Sequence, residues 1–559
     1  MLPVFIWSLI CASSYPMLTY TPNPKPRRKD RPWLLIIMVL IWIGGATFFH
    51  EPWEPYEPFV VAVVKSMIAT NSWLVPYIAK GTPYLDLQPF YFWLYALIIK
   101  IFDFSNIVNA VRLINSVIIF AVIILMGRIG SGLLAFKNGR SVVMILISSV
   151  GFINNAYQLA PNLIILLGFT LYFTALQQSQ DRPGISGWML SIGLIFISLN
   201  FTGEFLLIAL LMLIILPVLN REWRNSSYYI TTLSGITLFA LIFFSYAWQL
   251  NNVDHEFFVQ WKTRYSAFFV YNPLLWLSDL GFYAQTLLWY VIPSWILVLW
   301  TIYKRRKRIF ADKILAASVL FIILLFSCAC LSGQQQESKI FPIIIPFVLL
   351  ASVEIDSIRI SIVSLMNWFC IFTFGLAGLF ITALYIALNW GWPADLFGKA
   401  QFFAPDYVFQ FNAWQLALAV LISGIWLFMI TRKQIRGREM VSNWASGSTF
   451  VLVLFVSLCL PWFNSVLSFK DMVESSRLYL KNNLTSCIAT NGNNNIQNAI
   501  WYYYADINLK PESDFSAGEC KQALVGVERN MNINYPGWHV VWSAKRPVDS
   551  KRYVLLERN

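Results

Sequence analysis

Runs of about 18 to 25 apolar residues recur along this chain, and that length matches the hydrocarbon core of a bilayer. Inside lipid every backbone N–H and C=O must be paired within the segment, so runs of this kind fold as helices. Of the 559 residues, 58% are hydrophobic and only 12% charged, about half the charged fraction of a soluble domain. The net charge of +13 does not mark a nucleic-acid binder. The bases sit in short clusters between apolar runs, the pattern that orients a membrane protein. Membrane lipids are therefore expected partners, and nucleic acid is not.

The expected fold class is an α-helical polytopic membrane protein with about thirteen spans. The first covers residues 33–49, after the basic stretch Lys25, Arg27, Arg28, Lys29 and Arg31, which places the N-terminal segment 1–32 in the cytoplasm. Further spans run from 107–127 through 140–156, 159–177, 186–202, 204–219, 228–248, 283–303, 313–331, 340–353, 361–388 and 412–431 to 446–464. Loops carrying Lys304 to Arg308, or Arg432, Lys433, Arg436 and Arg438, are expected inside. Loops 50–88, 249–282, 332–339 and 389–411 hold much of the remaining acid, amide and Trp content, and are expected outside. The run 90–104 is short and contains Lys100 and Asp103; we read it as a helix in the outer interface, within a first outer loop of 50–106. Residues 1–20 are apolar but Pro-broken, an interfacial segment or an over-extended start rather than a cleaved signal.

Residues 33–464 thus form the membrane domain. The tail 465–559 is polar, with a helical pattern over 470–482 and period-two runs at Val540-Val541-Trp542 and Tyr553 to Leu556. These read as a small extracytoplasmic α/β domain. Cys11, Cys328, Cys330, Cys370 and Cys459 lie in apolar stretches as small core residues, whereas Cys487 and Cys520 lie in the polar tail. If the tail faces an oxidising compartment, that pair forms a disulfide. There is no CxxC metal pattern, and His50, His255 and His539 are scattered.

The first outer loop opens on acids, Glu51, Glu54 and Glu57, and carries Asp86 just before an aromatic helix. Carboxylates held at a membrane surface suit metal binding or general-base chemistry; read blandly, they are solvated loop acids. The loop contains Pro55-Tyr56-Glu57-Pro58-Phe59, then Asn71-Ser72-Trp73-Leu74-Val75-Pro76, then Tyr84-Leu85-Asp86-Leu87-Gln88-Pro89-Phe90-Tyr91-Phe92-Trp93. In order and spacing it resembles the GT-C membrane glycosyltransferases of the protein-mannosyltransferase and aminoarabinose (lipid A) transferase superfamily. Arg112 within Asn109 to Leu113, Asn162 at a span start, Ser338-Lys339-Ile340-Phe341-Pro342, and the tail around Pro536-Gly537-Trp538 extend the likeness along the chain. The Cys487/Cys520 pair extends it too, toward a bacterial branch with an outer C-terminal domain.

The resemblance implies a transferase that takes a sugar from a polyprenyl-phosphate carrier at the outer face of the bacterial inner membrane. The acceptor would be lipid A, a glycan or a protein, and the C-terminus would be periplasmic. A cation must meet the carrier phosphate, and an acid must take the acceptor's proton. The family's Asp aligns with Tyr56, a poor base because a free tyrosine titrates near pH 10, so Glu57 or Glu54 is expected to substitute, with Asp86 near the donor. The family's Lys becomes Leu87, and its metal-binding His becomes Arg264; Asp86 is then the one candidate metal ligand, and metal dependence stays open. Arg264, Lys339 and Lys80 are the expected phosphate-binding cations. Tyr56, Tyr84 and Asn162 are the expected sugar or acceptor contacts. A paralogue that binds a prenyl-phosphate lipid without turnover, or assists envelope glycan assembly, fits the same substitutions. A transporter fits less well, because the charges fall at span ends rather than mid-membrane.

Overall fold

The computed structural model describes residues 33–559 apart from 48–49, 80, 86, 105, 134–137, 200–201, 268–272, 406, 410, 432–435, 481–486, 492–494, 513–519, 529–534, 547–548 and 550. Met38–Asn559 form one compact unit.

The apolar runs are helical. Among the described residues six helices are long and apolar enough to cross a membrane: Ile107–Leu133, Ser226–Val253, Lys313–Cys330, Ile360–Trp390, Ala413–Thr431 and Arg438–Leu467. Two further runs are pairs of helices broken by sharp bends, Gly139–Ser148 with Val150–Ala156 at 70° and Leu275–Tyr290 with Ser294–Arg305 at 100°. The second bend carries Pro293, whose ring cannot continue a helix. The other apolar helices, such as Asn162–Gln178 and Glu204–Leu219, have 10–17 residues, shorter than an upright crossing of about 20 residues. The expected count of about thirteen therefore mixes full-length, bent and short helices. Chain chemistry sets where helices begin. Asp254, Asn225 and Asp312 each accept a backbone N–H in the first turn of the helix they precede, which satisfies amides that have no partner inside the helix.

Close helix contact follows from small residues. Gly168 and Gly193 face each other across Asn162–Gln178 and Pro183–Ile197; a Cβ on either would meet the other's carbonyl oxygen at 2.9 or 2.8 Å. Without a solvent-driven hydrophobic force between helices in lipid, such backbone approach is how helices gain packing contact.

The loop 50–106 folds as helix Glu57–Thr70, a hairpin of β1 (Tyr77–Ala79) and β2 (Thr82–Pro83), and helix Pro89–Phe102. Lys100, near the end of the last helix, donates to Asn71 at 2.9 Å and lies over the Trp73 ring. That tie returns the helix to the turn of its own loop.

The tail holds a five-stranded sheet in the order β4 (Leu509–Glu512), β3 (Ile488–Asn491), β5 (Gln522–Glu528), β7 (Lys551–Arg558), β6 (Trp538–Ala544). β3 runs parallel to β4 and β5, while β7 is antiparallel to β5 and β6. Helices Lys470–Leu480 and Asn495–Ala505 supply Val473, Ile500 and Trp501 to a core shared with Leu524 and Leu555. Cys487 and Cys520 are joined as a disulfide, Cα atoms 5.1 Å apart.

Candidate functional site

Loop 50–106 and the tail meet through ionic contacts. Arg546 is the hub: it pairs with Glu54 at 2.6 Å, binds Asp549 through two nitrogens, donates to the Leu467 carbonyl at 2.6 Å and lies 3.4 Å over the Phe469 ring. Lys65 pairs with Asp506, Lys470 with Glu51 at 3.6 Å, and Tyr504 donates to Glu51. Glu54, expected as a base, is thus held by a buried guanidinium, and the tail fixes the stretch on which Tyr56 and Glu57 sit.

Glu57 is buried at the start of its helix. Its carboxylate accepts the Trp53 and Leu159 amides at 3.1 and 3.2 Å and faces Arg112 at 3.5 Å, with His50 at 3.6 Å. Burial outweighs these donors and pushes the Glu57 carboxyl up to about 7. Burial, with the Arg112 charge second, holds His50 near 3, so the ring is neutral. Its Nδ1 lies 2.9 Å from Arg112 and 3.1 Å from the Glu51 carbonyl oxygen.

On the other side of Tyr56 lies a polar cavity of about 260 Å³, walled by Tyr56, Thr202, Glu204, Arg264, Gln336 and Lys339 among others. Four separate chain segments build it. Glu204 opens helix Glu204–Leu219, Arg264 lies in the last turn of His255–Ser266, and Lys339 sits in the 3-10 turn Glu337–Ile343. The Gly203 amide donates to the Tyr265 carbonyl at 2.9 Å. A Cβ at Gly203 would also come within 2.9 Å of the Tyr265 ring, so glycine there lets the two segments close. Lys339 and Glu204 are both buried and pair at 3.0 Å. Tyr283 donates to the Gln334 carbonyl at 2.5 Å and anchors the loop above them.

Tyr56 and Glu57 also border a second cavity, about 240 Å³, whose far wall is apolar: Leu452, Phe455, Val456 and Leu460. A polar, charged chamber and an apolar one therefore share the Tyr56 wall.

The expected site residues distribute unevenly. Arg264, Lys339 and Tyr56 converge on the polar cavity. Glu57 lies behind Tyr56, and Glu54 is turned toward the tail. Tyr84 is buried, stacked on Phe59 at 5.5 Å, and Asn162 donates to Asn155 at 2.9 Å within a buried network that reaches Tyr290. Both rest among core residues, away from the cavity walls described above. Asp86 and Lys80 lie outside the described residues. Among the described residues no three His, Cys, Asp or Glu side chains gather as a metal site. The pairing of Arg112 with Glu57, and the part of Glu204 in the cavity, went unassigned in sequence. An arginine inside an apolar run and an acid at a helix start were their only signals.

No family model matches the chain, and no curated protein matches it in sequence. Solved structures do match its fold. ArnT from Cupriavidus metallidurans bound to undecaprenyl phosphate aligns with a TM-score of 0.65 at 11% identity, over 94% of this chain and 97% of that one. The apo form of the same protein aligns with a TM-score of 0.64, again at 11% identity and over 94% and 97% of the two chains. This chain is a multi-pass membrane protein with the fold of ArnT and a small C-terminal sheet domain.

Proposed function

We propose that the chain is a glycosyltransferase that moves a sugar from a polyprenyl-phosphate carrier to a hydroxyl of a lipid, glycan or protein at the outer face of a bacterial inner membrane. The observation that carries this reading is the meeting of Arg264, Lys339 and Glu204 in one cavity beside an apolar chamber. A donor with a charged head and a hydrocarbon tail needs both. Arg264 offers a planar fork to the carrier phosphate and Lys339 a compact charge. The chamber lined by Leu452, Phe455 and Val456 suits the prenyl chain.

In the transfer, the acceptor oxygen bonds to the anomeric carbon, the bond from that carbon to the carrier phosphate oxygen breaks, and the phosphate leaves with the electron pair. The acceptor's proton goes to a carboxylate. Glu204 is the acid on the cavity wall, and Asp86 keeps the part near the donor that the resemblance gives it. Glu57, saturated by two amides and Arg112, serves to position Tyr56. The saturation of Glu57 and the ion pair on Glu54 also favour a second reading, a protein that binds prenyl-phosphate lipid without turnover.

Purified protein incubated with a panel of undecaprenyl-phosphate sugars decides between them. We expect consumption of at least one donor with release of undecaprenyl phosphate, and loss of that activity in Arg264→Gln. Binding of undecaprenyl phosphate with no donor consumed would favour the binder. Neither binding nor turnover would overturn both.

A further inference from the structure

We infer that the chain carries a binding site for the phosphate headgroup of an anionic phospholipid, remote from the Tyr56 cavity. A cleft of about 890 Å³ lies between the end of helix Ser294–Arg305 and the corner that leads into helix Ile360–Trp390. Lys304, Arg305, Arg306, Lys307, Arg308 and Arg359 line it against a single acid, Glu354. The acids at this corner are already engaged. Glu354 binds Arg305 at 2.7 Å, and Asp356 binds Arg438 through two nitrogens. The charge of the other lining cations is not cancelled by them, and a cleft with one sign of charge selects an anion.

The cleft is built for an anion that has a tail. Leu299, Tyr303 and Arg306 follow one another on one face of the helix at spacings of four and three residues. Leu299 and Tyr303 are more than half exposed. Along that face the order is apolar, aromatic, cationic, which is the order of acyl chain, interface and headgroup in a leaflet. Arg306 lies 5.0 Å over the Tyr303 ring and Lys304 5.9 Å over Trp300, so the rings steady the cations at the interface. Trp300 in turn donates to Ser357 at 3.2 Å and ties the two sides together. Ile360, next to Arg359 in the chain, is exposed as well. Five or more bases ordinarily mark a solvated inner loop. Here they converge on a cleft that also holds the Trp300 and Tyr303 rings, beside exposed Leu299, and an anion with a hydrocarbon tail suits that arrangement.

Native mass spectrometry and thermal unfolding of the full chain in detergent test this with dioleoyl phosphatidylglycerol, dioleoyl phosphatidylcholine, inorganic phosphate and glycerophosphoglycerol. Phosphatidylglycerol should stay bound and raise the unfolding temperature while phosphatidylcholine does neither. Its retention should fall roughly five-fold for each cation removed in the series Lys304→Gln, Arg306→Gln and Arg308→Gln. The single variants carry the test if the triple variant fails to fold. Arg221→Gln with Arg224→Gln, in another basic loop, should leave retention unchanged. Equal retention of the zwitterionic lipid, an undiminished triple variant, or equal loss in the control loop would overturn the site. Phosphate or glycerophosphoglycerol matching the intact lipid would overturn the lipid assignment in favour of a soluble anion.

Discussion

Two buried acid–base pairs border Tyr56, and they differ in what surrounds them. Around Glu57 the carboxylate is taken up: two amides and the Arg112 guanidinium meet it, although both residues also border cavities. Lys339 and Glu204 are as deeply buried, and the cavity they line is one that Arg264 also lines. A carboxylate already met by two amides and a guanidinium holds its chain in place. A pair that faces a cavity can exchange partners with a ligand phosphate or hydroxyl. Burial alone does not distinguish structure from chemistry; the side chains that share the cavity do.

That contrast can be broken experimentally. Arg112→Ala strands a carboxylate in the interior and should lower the stability of the membrane domain by about 3–5 kcal/mol, read as a fall in unfolding temperature in detergent. A variant as stable as the parent would mean that the enclosed pair is not structural. Arg264→Gln should do the reverse. Arg264 is exposed, so folding should be unchanged while donor turnover drops about 10²–10³-fold, the usual loss when a charge-stabilising donor is removed. Destabilisation without kinetic loss would reverse the roles assigned to the two pairs.

Titration gives a third test. The Glu57 carboxyl rises from 4.5 unfolded to about 7 folded, so between those values the folded state holds more protons. Stability from this group is therefore complete below pH 4.5 and is lost as pH rises to 7, with an upper bound of about 3 kcal/mol. Unfolding temperatures measured from pH 4.5 to 8 should show a decline that Glu57→Gln flattens; an identical slope in both proteins would remove Glu57 from the account. The smallest effect belongs to Tyr56→Phe, which keeps the ring between the two chambers and loses only the hydroxyl. Turnover should fall about ten-fold or less, in keeping with one neutral hydrogen bond. A loss as large as that of Arg264→Gln would make Tyr56 a participant in the chemistry.

Much of the frame is legible without coordinates. The apolar runs and interspersed bases mark the helices, and period-two patterns mark the strands of the tail. The short helix Pro89–Phe102, with Lys100 tied back to Asn71, follows from a run too short to cross. The bends at 70° and 100° do not, because hydropathy averages over a kink. In the site, Arg264 and Lys339 stand out as cations at helix ends, but their common cavity brings together residues far apart in sequence.

Length and hydrophobicity determined the membrane class and most helices by themselves, since a bilayer imposes one requirement on every crossing segment. The resemblance of short motifs pointed to the fold. Only the tertiary structure decided that Glu54 belongs to Arg546, that Glu57 is enclosed by Arg112, and that Glu204 joins Lys339 in an open cavity. Each of those pairings depends on which helices pack together, and a carboxylate's role depends on the partners that packing brings within about 4 Å.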